Sequence, residues 1–432
     1  MQIPQLYKLF CRYPIVSTDS RNCPSGSIFF ALKGDHFDGN DYIEQVLRQG
    51  AAYAVGDKRI LPKDERIIIV DDVLQTLQNL ANYHRKQMNA KVIGITGTNG
   101  KTTTKELIAT ALSSKYSVLF TPGNLNNHIG VPLTLLQLNP WHEFAVIEMG
   151  ANHSGEIMDL CNITDPDYGI ITNVGRAHLE GFGSFEGILR TKTELYTYLK
   201  EKRGIIFANK DNPILKDFYE GLSLIFYGTS SLDTFISGEM LNSSPTLSLS
   251  WKKGSEKNEI KTHLIGNYNL ENVLAAICIA SYFNVEADCI NNALSDYIPS
   301  NNRSQELKTE KNHLILDAYN ANPSSMCAAL ENFNMQNSYP KMVILGEMKE
   351  LGTYSNEEHK ILLEQLSQSE INEVILVGEA FNKQDSLILS HWKTFSTTED
   401  LIAYLEFSDY KGFHILIKGS RGNRLERILP YL

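Results

Sequence analysis

Gly94-Ile-Thr-Gly-Thr-Asn-Gly-Lys-Thr-Thr103 has the chemistry of a nucleotide-phosphate cradle. Glycines let the backbone approach anionic oxygens, and a run of backbone N–H groups can point at them. Lys101 supplies a positive charge, and the Thr102 hydroxyl suits a magnesium ion. The flanks agree. Lys91–Thr96 (KVIGIT) is the short apolar, β-branched run of a buried parallel strand. Thr102–Ser113 (TTTKELIATALS) spaces its apolar residues as a helix does, so the loop opens a helix N-terminus, where a phosphate is favoured. The common phosphate-loop pattern places four residues between its glycines. Gly94 and Gly100 enclose five, with Gly97 among them.

A chain of 432 residues is too long for one ordinary core and predicts two to four domains. Its 42% hydrophobic and 21% charged residues describe a globular protein. No apolar run approaches a membrane span, and MQIPQLYKLF lacks a basic region followed by an apolar core. A net charge of −10 without a basic stripe argues against a dedicated nucleic-acid binder, while leaving anionic substrates open. Cys11, Cys23, Cys161, Cys278, Cys289 and Cys327 form no C-x-x-C pair, which predicts buried free thiols in a reducing compartment. The chain is expected to be cytoplasmic, monomeric, and free of membrane insertion and nucleic acid.

Working outward from the cradle, the pattern predicts an α/β protein of three domains. Residues 1–88 mix short strands (SIFFAL, RIIIV) with a helical run over Val73–Lys86 and form a small N-terminal α/β domain. Residues 89–300 alternate strand and helix through KVIGIT, SVLFT, FAVIEMG, GIITNV and GIIFAN. That alternation predicts a parallel-sheet, P-loop ATPase-like central domain, with a patterned helix at Leu270–Tyr282. Polar loops at Asn242–Pro245 and Lys252–Asn258 read as surface hairpins. Residues 301–432 restart the alternation with HLILDAY, MVILGEM, EVILVGE and FHILIKG, a Rossmann-like second sheet. Turn residues at Ile298–Asn302 mark the boundary. No internal repeat or low-complexity tract is present.

Four further segments sit at carboxyl strand ends, which in an open α/β sheet face the ligand crevice. Thr121–Gly130 (TPGNLNNHIG) is dense in Gly, Asn and His. Glu148 ends an apolar strand and suits a magnesium ligand or water-orienting group. Asn173–Gly183 carries His178, which fits a metal ligand, a base or a structural hydrogen bond alike. Lys192 follows in a helical run, where composition alone makes it a solvated helix lysine. In the last zone, Asp317-Ala-Tyr-Asn-Ala-Asn-Pro323 and Lys418-Gly-Ser-Arg421 share one sheet edge, and the second suits an anion such as a carboxylate. Residue chemistry leaves phosphoryl transfer and carboxylate activation both open.

Together these segments resemble the Mur ligase family, the ATP-dependent amide ligases of peptidoglycan precursor synthesis. The Gly97–Thr102 core is also similar to that of folylpolyglutamate synthetases. GNLNNHIGVPLTLL, VIEMGANHSGEI, AHLEGFGSFEGI, DAYNANPSSM and KGSRGNRLE resemble the branch that adds D-alanyl-D-alanine to UDP-N-acetylmuramoyl-tripeptide through an acyl phosphate. The resemblance implies that Gly97, Thr98, Asn99, Gly100, Lys101, Thr102 and Thr103 hold ATP, with Asn269, Asn272, Arg303 and Asp317. It implies Mg2+ at Thr102 and Glu148, and a second Mg2+ served by His178 and a carbamylated Lys192. Thr18, Asp19, Ser20, Arg21 and Asn124 are implied for the uridine-nucleotide substrate, and Asn320, Asn322 and Ser420 for the dipeptide.

Departures from the family pattern are Tyr268 for histidine in Gly266-Asn-Tyr-Asn269, Asn302 before Arg303, and Leu345-Gly-Glu-Met348. None removes a charge the mechanism needs. The alternatives are a family ligase adding a single amino acid and, in a different class, a nucleotide-dependent switch ATPase.

Overall fold

The computed structural model describes residues 1–57, 64–299, 303–336 and 340–432. Three large sheets follow one another along the chain, with a two-stranded hairpin, Lys33–Gly34 and Phe37–Asp38, beside the first. The first has four parallel strands, in the order Val16–Ser17, Ile28–Phe30, Tyr53–Gly56, Ile67–Ile69. The helix Val73–Gln87 carries it onto the next layer. Val73, Leu77, Leu80, Ala81 and His84 fall on one buried face, and the Asp72 carboxylate caps the helix by accepting from the Gln75 N–H at 2.8 Å.

The central sheet has nine strands. Lys91–Thr96 lies inside it, between Phe144–Glu148 and Tyr168–Ile171 in parallel register. After Lys91–Thr96 the chain first builds one side of the sheet (Val118–Phe120, Phe144–Glu148) and then the other (Tyr168–Ile171, Ile205–Asn209, Ser223–Gly228). A reversal of this kind opens a crevice at the carboxyl strand ends, and the phosphate loop sits there. The sheet is not parallel throughout. Ile236–Asn242, Ser248–Lys253 and Glu256–Lys261 extend it as an antiparallel meander, because both polar loops are short hairpins that cannot make a crossover. Helix Asn269–Tyr282 is apolar on nearly every face, as its burial against the sheet and against helix Lys101–Ser113 requires.

The third sheet runs Gln305–Lys308, His313–Asp317, His414–Lys418, Lys341–Gly346, Glu373–Val377, Lys393–Phe395, parallel except for its first strand. Of the expected boundary at 298–302, residues 300–302 lie outside the described residues. No helix among the described residues is long and apolar enough to cross a membrane. The cysteines differ from expectation: Cys161 and Cys278 are buried, but Cys11 and Cys289 are exposed, because each lies on the polar face of an amphipathic helix.

Trp251 holds the antiparallel extension to the body. It is 1% exposed, and its indole N–H donates to Asn291 Oδ1 at 2.9 Å. Trp251→Ala is expected to cost about 3–5 kcal/mol, seen as a lower urea midpoint of unfolding.

Candidate active site

One cavity of about 920 Å3 opens between the carboxyl edges of the second and third sheets. The phosphate loop forms its floor. Gly97 has φ +144°, and an added Cβ there would lie 2.0 Å from Thr172 Oγ1, so only glycine fits. Asn173 and Thr172 clamp the loop: Asn99 N–H donates to Asn173 Oδ1 at 2.9 Å, and Thr172 Oγ1 donates to Asn99 O at 2.7 Å. The Lys101 ammonium folds back onto the carbonyls of Gly97 and Thr98 at 2.8 and 2.9 Å. Burial lowers its pKa to about 8, while Glu148 opposes the shift. A bound anion would restore its full charge.

Thr102 and Glu148 meet at the same floor, 2% and 1% exposed. Thr102 Oγ1 and Glu148 Oε2 are both buried without a hydrogen-bond partner, while Glu148 Oε1 accepts from Asn126 Nδ2 at 2.8 Å. Two unsatisfied hard oxygens beside a phosphate cradle fit a magnesium ion. Among the described residues no cluster of three His, Cys, Asp or Glu forms a metal site. A cation here would draw on this hydroxyl, this carboxylate and substrate oxygens.

Lys192 is not the solvated lysine that composition alone predicts. It is 3% exposed, because it shares the buried face of helix Phe185–Lys202 with Ile188, Leu195 and Leu199. Its Nζ has one long contact, to Ala151 O at 3.4 Å, and lies 5.5 Å from the Phe182 ring. Burial, reinforced by Lys101, lowers its pKa to about 7, with Glu156 and Glu194 opposing. His178 reaches across the cleft: its Nδ1 lies 2.5 Å from Glu350 Oε2. That contact holds the Glu350 carboxyl below its ordinary range.

The third sheet supplies the opposite wall. Asp317 pairs with the buried Lys418, and both line the cavity together with Arg421. Arg303 stacks on Tyr319 at 3.8 Å, and Arg421 lies 5.2 Å from the same ring. Asn269 and Asn272 line the cavity and are wired together, Asn272 Nδ2 donating to Asn269 Oδ1 at 2.9 Å and Thr104 Oγ1 donating to Asn272 Oδ1 at 3.0 Å. Asn320 faces the cavity. Asn322 is partly committed elsewhere, capping helix Pro323–Met335 and donating to Asn99 Oδ1 at 2.8 Å. The Ser420 hydroxyl is likewise engaged, accepting from Lys349 N–H at 3.0 Å and donating to Ala321 O at 3.4 Å.

Thr98, Asn99, Gly100, Thr103 and Asn124 also line the cavity, whereas Thr18, Asp19, Ser20 and Arg21 do not. In that first-domain segment Arg21 is spent on Asp19 at 2.9 Å, out in solvent.

Models of the Mur ligase family match three consecutive stretches: "Mur ligase family, catalytic domain" over residues 12–94, "Mur ligase middle domain" over 95–280, and "Mur ligase, glutamate ligase domain" over 302–421. The chain belongs to the Mur ligase family. Among Mur ligases it is 35% identical, over 96% of its length and 92% of the relative's, to the UDP-N-acetylmuramoyl-tripeptide–D-alanyl-D-alanine ligase of Bacillus subtilis. The enzyme of that name from Escherichia coli is 33% identical over 96% and 93%. The crystal structure of MurF from Acinetobacter baumannii superposes with a TM-score of 0.87 at 31% identity, covering 96% of this chain and 92% of that one. A MurF ligase from Thermotoga maritima, solved with ADP, gives 0.85 at 29% identity, covering 96% of both chains.

Sequence reasoning on this Mur ligase missed Asn126, Tyr319, Glu350 and Lys105. Lys105 is fully buried one turn beyond Lys101, donating to Gly123 O at 3.0 Å and lying 3.7 Å from Glu148 Oε2. Its spacing of four from Lys101, on the apolar face of the helix, was the available signal.

A lysine whose pKa falls from 10.5 to about 7 on folding binds fewer protons in the native state. Its burial therefore lowers stability in full below pH 7, and the loss fades as pH rises toward 10. Without nucleotide or magnesium, Lys192→Met is expected to be more stable than the wild type by about 1–3 kcal/mol at pH 7. Urea unfolding at pH 7 and pH 10 should show that gap shrinking.

Proposed function

We propose that this chain is an ATP-dependent ligase that joins D-alanyl-D-alanine to UDP-N-acetylmuramoyl-tripeptide through an acyl phosphate. It acts as a monomer in cytoplasmic peptidoglycan precursor synthesis. The observation that carries this reading is the single cavity in which a phosphate cradle and a two-oxygen cation site face Asn320 and Arg421 of another sheet. The names of full-length relatives at 33–35% identity support the substrates.

In this reading residues 1–88 hold the uridine nucleotide through Thr18, Asp19, Ser20 and Arg21, with Asn124 reaching the substrate from the second domain. Residues 89–300 hold ATP, and residues 301–432 complete the ATP and dipeptide sites. Lys101 and the loop N–H groups neutralise the β- and γ-phosphates, so that the tripeptide carboxylate can attack the γ-phosphorus and ADP can leave. The dipeptide amine then attacks the acyl carbon, and phosphate departs. Asn269 and Asn272 border the adenine, while Arg303 and Asp317 hold the rest of the nucleotide. Asn320 and Arg421 face the dipeptide, and Asn322 and Ser420 fix the loops that carry them.

Thr102 and Glu148 would hold Mg2+, which supplies charge neutralisation of the phosphates when bound. A pKa near 7 leaves much of Lys192 as free amine at neutral pH, the form that reacts with carbon dioxide. As a carbamate, Lys192 would supply an anionic ligand for a second cation, with His178 as a further ligand.

Phosphate release is expected only with ATP, the nucleotide-tripeptide and D-alanyl-D-alanine together. Release driven by D-glutamate, L-lysine or diaminopimelate, but not by the dipeptide, would overturn the assignment, and release indifferent to both substrates would favour a switch ATPase. Lys101→Ala should lower turnover by about 10²–10³-fold or more. Lys192→Ala should lose most activity, with partial return on adding short carboxylic acids but not bicarbonate.

A further inference from the structure

Tyr268 caps the start of helix Asn269–Tyr282 and lines the cavity. Its ring lies over Gly266, which has φ +98°. A Cβ at Gly266 would sit 2.4 Å from Tyr268 Cε1, so the glycine makes the room that the ring needs. The phenol oxygen is 2.7 Å from Ser304 Oγ.

Ser304 belongs to the other side of the cleft. It immediately precedes the first strand of the third sheet, Gln305–Lys308. Its backbone is left-handed, φ +46°, a conformation that costs about 1 kcal/mol or more for a residue with a side chain. Two contacts hold it there: the Tyr268 hydroxyl on its side chain, and Asp317 Oδ1, which accepts from its N–H at 3.2 Å. Asp317 in turn pairs with Lys418, and Arg303 is the adjacent residue.

We propose that Tyr268 is a positioning residue: its hydroxyl straps the second domain to Ser304 and thereby sets Arg303 and Asp317 against the nucleotide. Burial, with Asp317 nearby, pushes the phenol pKa well up, so the hydroxyl keeps its proton at all working pH values. The ring walls the cavity, and the hydroxyl ties its two sides together. The strap rests on the proposed function only through nucleotide binding.

The test is a double-mutant cycle on the full chain, read by the Kd for ADP. Tyr268→Phe keeps the ring and removes the strap; Ser304→Ala removes its other half. Each is expected to weaken ADP about three- to tenfold, and the double variant should be no weaker than either single one. Melting temperatures measured without nucleotide show whether the fold is intact, and Gly266→Ala, which displaces the ring, should weaken ADP at least as much. In turnover assays KM for ATP should rise more than kcat falls. Wild-type ADP affinity in Tyr268→Phe, with loss only in Tyr268→Ala, would mean the ring alone matters and would overturn the strap. Additive losses in the double variant would overturn it too. A coupled cycle in a protein that does not ligate the dipeptide would leave the strap standing and remove the substrate reading instead.

Discussion

The site holds lysine ammonium groups out of water. Lys101 lines the cavity, Lys105 lies 3.7 Å from Glu148 Oε2, and Lys192 is buried close enough to Lys101 to feel its charge, with Glu156 and Glu194 opposing. Desolvation lowers the pKa of all three lysines. Taking ammonium groups out of water without matched carboxylates costs stability, and a chain selected only to fold would replace them with apolar side chains. Polyphosphate removes the imbalance at Lys101. The proposed carbamylation would remove it at Lys192, by turning the cation into an anion. Lys105 differs, since it is tied to the Gly123 carbonyl and braces Glu148 and the 121–130 loop. The floor is therefore built to be completed by its substrates, as a preorganised electrostatic site must be.

A second requirement follows from the chemistry. An acyl phosphate must be kept from water until an amine arrives, so the walls have to come from parts of the chain that close on one another. The contacts across the cleft meet that need. Asn322 reaches Asn99 of the phosphate loop at 2.8 Å, Arg176 pairs with the buried Glu358 at 2.9 Å, and His178 meets Glu350. The Arg176 N–H also donates to Ser324 Oγ at 3.0 Å. Each contact joins a loop at the carboxyl edge of the central sheet to a loop or helix of the third-sheet unit, so closing the cleft also assembles the site.

How much of this could be read in the chain depends on range. The strand–loop–helix around Lys101, the covering helices and the second run of alternation are local patterns, and they appear where periodicity places them. The antiparallel extension beyond Ser223–Gly228 was legible only as two surface hairpins, because their pairing onto the edge of the central sheet is a long-range property. Individual roles were less legible than segments. Lys192 has the composition of a solvated helix residue, and only packing against Phe182 and Ala151 buries it. The resemblance implies Ser420 and Asn322 for the dipeptide, yet both are largely used up in holding loops. Tyr319 and Lys105 lie inside quoted motifs, but a stacking partner or a buried carboxylate cannot be seen without the third dimension.

The central claim is that ATP activates the tripeptide carboxylate. The most direct measurement labels both oxygens of that carboxylate with 18O and follows one turnover with D-alanyl-D-alanine. The account predicts that one labelled oxygen leaves in inorganic phosphate and the other stays in the new amide carbonyl. Phosphate free of label, with ligated product still forming, would contradict it.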